Sequence, residues 1–233
     1  MQAVILAGGK GTRLRPYTAE IPKPLVTVGD KPIIEILLRQ MEKSGVGKVH
    51  IAVNHLAHLI MAVLGDGAGL GMDIVYSHEA TPLSTVGPIR LIESLPEHFI
   101  VANGDILTDL DFKLLYDAHV ESRALLSVAT HRRTYKVDYG VLDVNTDGTL
   151  TGFHEKPQYT CTVSMGIYVF SRKTVSLIPP DRKFGFDDLM WTLLNRHEHV
   201  NLFPYEGYWL DIGRPEDYEQ ANQDIEKISN FIE

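Results

Sequence analysis

QAVILA, residues 2 to 7, is an almost unbroken apolar run that stops at a pair of glycines. A strand with one wet face alternates apolar and polar residues. A continuous run instead reads as a strand covered on both faces, as in the parallel sheets of α/β proteins. The theme recurs. PIIEILLRQMEKSG (32–45) starts a helix on a proline, repeats apolar residues at helical spacing and stops at a glycine. KVHIAV (48–53), MDIVYS (72–77) and HFIVAN (98–103) are further strand-like runs, with a helical stretch near 56–64 and a short helix after Pro88 between them. Strands alternating with helices imply right-handed crossovers in a mostly parallel sheet.

From about residue 124 the pattern changes. ALLSVAT (124–130), YGVLDV (139–144) and TLTGFHE (149–155) are strand-like, and NTDGT between the last two is a hairpin-turn signal. SMGIYVF (164–170), VNLFPY (200–205) and GYWLDI (207–212) add strands. FDDLMWTLLNRH (186–197) adds a helix with Trp191, Leu193 and Leu194 on its expected core side, and an amphipathic helix begins at about 215. The expectation is one α/β domain over residues 1–233 with a β-rich second half, a length that buries one good core.

Several function classes are disfavoured. Cys161 is the single cysteine, so neither an intramolecular disulfide nor a thiolate zinc cluster is expected. The pairs His55/His58 and His197/His199 lack a third ligand. No run reaches the roughly 18 apolar residues of a membrane span, and the apolar start carries no basic leader, so a cytoplasmic protein without a membrane partner is expected. The net charge of -8 argues against nucleic acid as partner. Charge is nevertheless uneven. Residues 1–31 hold five basic side chains (Lys10, Arg13, Arg15, Lys23, Lys31) against two acidic ones, in a chain with 22 against 30. That concentration fits a small anionic ligand.

The basic residues sit in LAGGKGTRLRPYTAEIPKP (6–24). A dinucleotide fingerprint beginning at Gly9 and Gly11 meets Leu14 where its third glycine belongs, and Pro16 blocks the helix that should follow. A Walker-type loop needs a lysine followed by Ser or Thr after its last glycine, which Gly11-Thr12-Arg13 does not supply. The remaining reading is a glycine loop that wraps a nucleotide in its own way. Its peptide N–H groups can approach phosphate unobstructed, Arg13 can fork two donors onto phosphate, and Lys23 adds a mobile point charge.

This stretch, followed in order by PLSTVGP (82–88), NGD (103–105), YGV (139–141), EKP (155–157), SMGIYVF (164–170) and YWLDIGRPEDY (208–218), resembles the signature of sugar-1-phosphate nucleotidyltransferases over essentially the whole chain. The resemblance implies a Rossmann-like nucleotidyltransferase fold, a mostly parallel mixed sheet flanked by helices with a β-rich sugar-binding portion. Residues 1–123 would mainly bind nucleotide, and residues 124–233 would mainly bind sugar and carry a second metal aspartate. The implied reaction is NTP + sugar 1-phosphate giving NDP-sugar + pyrophosphate. The pattern is closest to mannose- or heptose-1-phosphate guanylyltransferases, which favours GTP. Uridylyl- and thymidylyltransferases share the same catalytic residues, and a nucleotide-sugar-sensing subunit without turnover is a further alternative.

By the same resemblance, Arg13 steadies the leaving pyrophosphate and Lys23 reaches the phosphates in the transition state. Nucleotide contacts are implied for Leu6, Ala7, Gly8, Gly9, Gly11, Thr12, Glu79, Pro82, Thr85, Gly87, Asn103 and Gly104. Sugar-phosphate contacts are implied for Gly140, Glu155, Lys156, Ser164 and Gly166, and Mg²⁺ for Asp105 and Asp211. Two positions depart from the family pattern: Ser84 stands where a glycine is usual, and Ser164-Met165-Gly166 where many relatives have asparagine before the glycine. The closing helix could pack on its own domain or on a second copy, so a homo-oligomer is a further expectation.

Overall fold

The computed structural model describes residues 1–180 and 182–232. In chain order its strands are β1 (Gln2–Leu6), β2 (Thr27–Val28), β3 (Lys31–Pro32), β4 (Lys48–Val53), β5 (Asp73–His78), β6 (His98–Asn103), β7 (Ile106–Thr108), β8 (Leu126–Lys136), β9 (Val141–Val144), β10 (Leu150–His154), β11 (Gln158–Ser171), β12 (Val200–Pro204) and β13 (Trp209–Asp211). The α-helices are α1 (Ile33–Lys43), α2 (Ala57–Leu64), α3 (Phe112–Ser122), α4 (Phe186–Asn195), α5 (Pro215–Gln223) and α6 (Ile225–Ile232). No described helix is long and apolar enough to cross a membrane.

Seven strands form the central sheet in the order β12-β8-β11-β6-β1-β4-β5. β1 is flanked in parallel by β4 and β6, β5 extends β4 in parallel, and β11 runs antiparallel between β6 and β8. The sheet is thus mixed and mostly parallel, as expected from the sequence. Its inner strands β1, β4 and β6 bury both faces, which explains their unbroken apolar runs. Ala3 and Ile5 of β1 point with Ile100 and Ala102 of β6 into a core shared with Ile34, Leu37, Leu38 and Met41 of α1. Val4, Phe99 and Val101 point the other way, onto Leu189 and Leu193 of α4.

A third core lies behind α1. There Ile33 and Ile36 pack with Leu14, Val26, Val28, Leu107, Ile212, Ala221 and Ile228. This core holds the opening loop, β13 and the two terminal helices against the sheet layer. Pro32 is the N-cap of α1 and not its first helical residue. The helix expected from about 215 is two helices, α5 and α6, separated by Asp224. Of the three α4 side chains expected in the core, only Leu193 is buried. Trp191 and Leu194 face water because the sheet needs only one stripe of that helix.

Candidate active site

The carboxyl ends of β1, β4 and β6 lie side by side, and the chain leaves each into a loop. Open α/β sheets bind ligands at this edge. The first loops are stitched together by backbone bonds: Ala7 N–H donates to Ala52 C=O (2.9 Å) and Gly104 N–H to Leu6 C=O (3.0 Å). Between them opens a cleft of about 530 Å³, within the usual size range of small-molecule sites.

Its floor and one wall are the opening loop. Gly11 has φ +61°, and a Cβ there would lie 2.9 Å from Lys23 Cβ, so only glycine fits both the backbone and the space. Thr18 Oγ1 donates to Gly11 C=O (2.7 Å) and Leu14 is wholly buried, which fix the loop without a regular element. Five successive amides, from Gly8 to Thr12, have no protein acceptor among the described residues.

At the other end of the loop Lys23 is 8% exposed. Its ammonium is hydrogen-bonded to Asp105 Oδ2 and lies 4.0 Å from Asp211 Oδ1. The two carboxylates arrive from distant positions because β13 pairs antiparallel with β7, Asp211 opposite Ile106, and Ile212 N–H donates to Asp105 C=O (3.1 Å). Burial raises the Asp211 carboxyl above the ordinary aspartate range, and the Asp105 charge raises it further. Lys23 and Arg13 pull it back. Asp105 Oδ1 is buried without a hydrogen-bond partner. Among the described residues no three His, Cys, Asp or Glu side chains form a metal-binding group.

The far wall is the segment 79–88. Glu79 accepts a hydrogen bond from Leu83 N–H (2.9 Å), and its backbone carbonyl accepts from Asn54 Nδ2 (3.1 Å). Burial raises its carboxyl, partly countered by the Leu83 amide. A Cβ on Gly8 would come within 2.5 Å of Glu79 Oε1, so the loop backbone and this carboxylate are in close approach. Thr85 Oγ1 accepts from Phe186 N–H (2.9 Å) at the start of α4, tying the wall to the helix. Ser84, where the family pattern has glycine, adopts φ +69°, which accounts for that preference.

The cleft therefore gathers Leu6, Ala7, Gly8, Gly9, Gly11, Thr12, Arg13, Lys23, Glu79, Pro82, Thr85, Asn103, Gly104, Asp105 and Asp211 from the residues singled out in the sequence. Gly87 does not line it. That residue is buried, donates to Phe184 C=O (3.0 Å), and a Cβ on it would meet Leu83 Cβ at 2.8 Å. Gly140, Glu155, Lys156 and Ser164 lie outside the cleft on exposed backbone, although Glu155 is near Gly140. Gly166 stands behind the cleft with φ +73°, its missing Cβ making room for Asn103 Nδ2. Asn54 and Gly213 line the cleft and were not singled out in the sequence. Asn54 had a readable signal, since it directly follows the apolar run of β4.

A family profile described as Nucleotidyl transferase matches residues 2–228. The chain belongs to the nucleotidyl transferase family. Among curated members of it, the catalytic subunit beta of mannose-1-phosphate guanylyltransferase from Drosophila pseudoobscura pseudoobscura is 33% identical over 93% of this chain and 60% of its own length. UTP--glucose-1-phosphate uridylyltransferase from a Synechocystis strain is 31% identical over 95% of this chain and 62% of its own length. The chain thus spans about 60% of the length of the curated relatives it matches. Among solved structures, HddC from Yersinia pseudotuberculosis superposes with a TM-score of 0.75 at 31% identity, covering 96% of this chain and 99% of that one. A second HddC structure, complexed with GMP-PN, gives 0.74 at 30% identity, with the same coverage.

Proposed function

We propose that this protein is a sugar-1-phosphate nucleotidyltransferase. It joins the nucleoside monophosphate unit of an NTP, GTP favoured, to a sugar 1-phosphate of mannose or heptose type. A phosphate oxygen of the sugar 1-phosphate attacks the α-phosphorus in line. The new O–P bond forms as the bond to the β-phosphate oxygen breaks, and pyrophosphate leaves with that electron pair. The nucleophile is already ionised, so no general base is required. The obstacle is repulsion between two polyanions, which positioning and fixed positive charge overcome.

The observation that carries this reading is the buried Lys23 ammonium held between Asp105 and Asp211 beside an open glycine loop. The amides of Gly8 to Thr12 offer donors to the triphosphate, Arg13 meets the departing pyrophosphate, and Lys23 offsets charge where the two substrates meet. The Asp105 and Asp211 carboxylates fit Mg²⁺: Asp105 Oδ1 is buried with no partner, and phosphate oxygens and water would complete the ligand set. When bound, Mg²⁺ supplies further neutralisation of phosphate charge at this point. The preference for GTP rests on the guanylyltransferase names of relatives and on the GMP-PN complex of HddC.

The deciding experiment measures pyrophosphate release with Mg²⁺ across GTP, UTP, CTP, dTTP and ATP against mannose, glucose, heptose and amino-sugar 1-phosphates. Turnover with GTP and a mannose- or heptose-type partner is expected. Turnover confined to UTP or dTTP would move the assignment to the uridylyl- or thymidylyltransferases. Nucleotide binding with no turnover anywhere in the grid would favour a sugar 1-phosphate outside it or a sensing subunit.

A further inference from the structure

Arg13 is exposed, and among the described residues its side chain has no hydrogen-bond or ion-pair partner. An arginine free in water gives up several rotatable bonds when it meets a phosphate, so a site gains by holding it in advance. The turn after Asp211 is placed to do so. A Cβ on Gly213 would lie 3.9 Å from both terminal guanidinium nitrogens of Arg13. Gly213 is buried, lines the cleft and does not adopt the left-handed backbone that favours glycine, so what its missing side chain provides is close approach.

The residues after Arg13 dock on the same region. Leu14 packs with Ile212 and Ala221 in the third core, and the Tyr17 ring lies 4.6 Å from that of Tyr218 on α5. The opening loop thus meets the β13–α5 junction through Arg13, Leu14 and Tyr17. One side chain organises that junction. Asp217 Oδ2 accepts from Gly213 N–H (3.1 Å) and from Arg214 N–H (2.9 Å), and Gly213 N–H also donates to Asp211 C=O (2.9 Å). Both amides lie ahead of α5, outside its own hydrogen-bond ladder. The half-buried Asp217 carboxylate stands 3.5 Å from the same point that a Gly213 Cβ would take. The carboxylate and the guanidinium therefore both bear on one glycine.

We propose, on the reading of Arg13 as the pyrophosphate contact, that Asp217 is a positioning residue for it. By holding the Gly213 and Arg214 amides, Asp217 fixes the turn beside which the guanidinium rests. That aims Arg13 at the β- and γ-phosphates, the part of the triphosphate that leaves. Asp217 itself touches no substrate. It acts through two backbone hydrogen bonds, which the side-chain oxygen of Asn can also accept, so Asn should replace it and Ala should not. Displacing a positioned group by about 1 Å costs on the order of 100-fold in rate, so a residue one step removed from the phosphate still counts.

Calorimetric binding of GTP and GMP, with UTP and UMP alongside, and initial rates of pyrophosphate release test it on the whole chain. Loss of one capping side chain is small against the stability of a domain, and circular dichroism confirms that each variant is folded at the assay temperature. Asp217→Ala should lower kcat and triphosphate affinity at least about tenfold each, and leave monophosphate affinity within about twofold of wild type. Asp217→Asn should restore both to within about threefold. In an Arg13→Ala background, Asp217→Ala should cost less than about twofold, because the two changes remove one interaction. Equal losses for triphosphate and monophosphate would make Asp217 a cap of α5 alone and overturn the proposal. So would wild-type rates and affinities in Asp217→Ala, an Asn variant as weak as the Ala variant, or an undiminished loss in the Arg13→Ala background. A protein that turns over no substrate, yet loses its preference for triphosphate in Asp217→Ala, would sink the transferase reading and leave the role of Asp217 standing.

Discussion

The opening loop and the two-stranded arm of residues 131–164 invert the usual relation between regularity and order. Residues 7–22 contain only a single 3-10 turn, yet Leu14 is fully buried, Lys23 at the loop's end nearly so, and Gly11 is packed against both Thr18 and Lys23. Residues 131–164 are laddered strands for most of their length and bury nothing. Hydrogen-bonded ladders leave position nearly free unless apolar surface is also removed from water, whereas an irregular segment with a few buried anchors is fixed. In the loop, Leu14, Thr18 and Lys23 are enclosed by their neighbours. In the arm, a side chain is held only by its own pair.

The sharpest way to break this contrast is at Lys23. Lys23→Met removes the cation shared by Asp105 and Asp211, and turnover should fall by at least about 100-fold, as for other losses of a preorganised charge. Initial rates of pyrophosphate release at saturating substrates measure it. A rate near wild type would mean that the loop's buried anchor is structural only.

Two glycines with left-handed backbone come next. Gly11→Ala combines an unfavourable φ with a Cβ 2.9 Å from Lys23 and should cost about 2–4 kcal/mol. Gly148→Ala, at the arm's turn, has φ +86° but nothing within 4 Å, so strain alone acts and the loss should be about 1–2 kcal/mol. Urea unfolding of the two variants compares the regions directly, and equal losses would erase the distinction.

A smaller effect follows from Asp211. Its folded carboxyl titrates above the unfolded value, so ionisation penalises the folded state above that raised pKa and the penalty disappears as pH falls through it. Asp211→Asn should therefore raise the melting temperature at neutral pH by about 1–2 °C, screened by its partial exposure, while lowering turnover. The gain should vanish in acid. A melting difference that persists below the ordinary aspartate range would assign the effect to something other than charge.

The smallest change is expected at Ser84. Ser84→Gly relieves a left-handed φ but gives the unfolded chain more freedom, and the two offset to within about 0.5 kcal/mol. Melting and the KM for nucleotide should both stay near wild type. A large shift in KM alone would give the serine hydroxyl a role in base contact.

Much of the molecule was legible because its signals are local. Unbroken apolar runs named the buried strands, and the glycines and cations of residues 6–24 marked the cleft that they now line. The ends of those strands delivered Asp105 and Asp211 to a single place, which spacing alone does not reveal. QYTCTV (158–163) escaped notice although it does alternate, Gln, Thr and Thr with Tyr, Cys and Val, so this part of β11, paired along its length with β8, had a readable strand signal. What else escaped notice depends on neighbours. Trp191 and Leu194 look like core by helical spacing and are exposed because α4 meets only one sheet face. Gly87 carries a motif position yet serves packing against Leu83 and Phe184. Gly140, Glu155 and Lys156 belong to recognisable motifs, but where an exposed arm carries them is set by what the arm rests on.

The pairing of β13 with β7 also sets a timetable. A chain synthesised from its amino terminus has the residues of β1, β4, β5 and β6 in hand once the NGD turn has emerged, but neither Asp211 nor the side chains of the third core that bury the opening loop. Asp211 joins them only after another 106 residues, when Ile212 reaches back to the Asp105 carbonyl. The opening loop is in the same position, because Leu14 is buried against Ile212, Ala221 and Ile228, so the loop and the carboxylate pair are completed together.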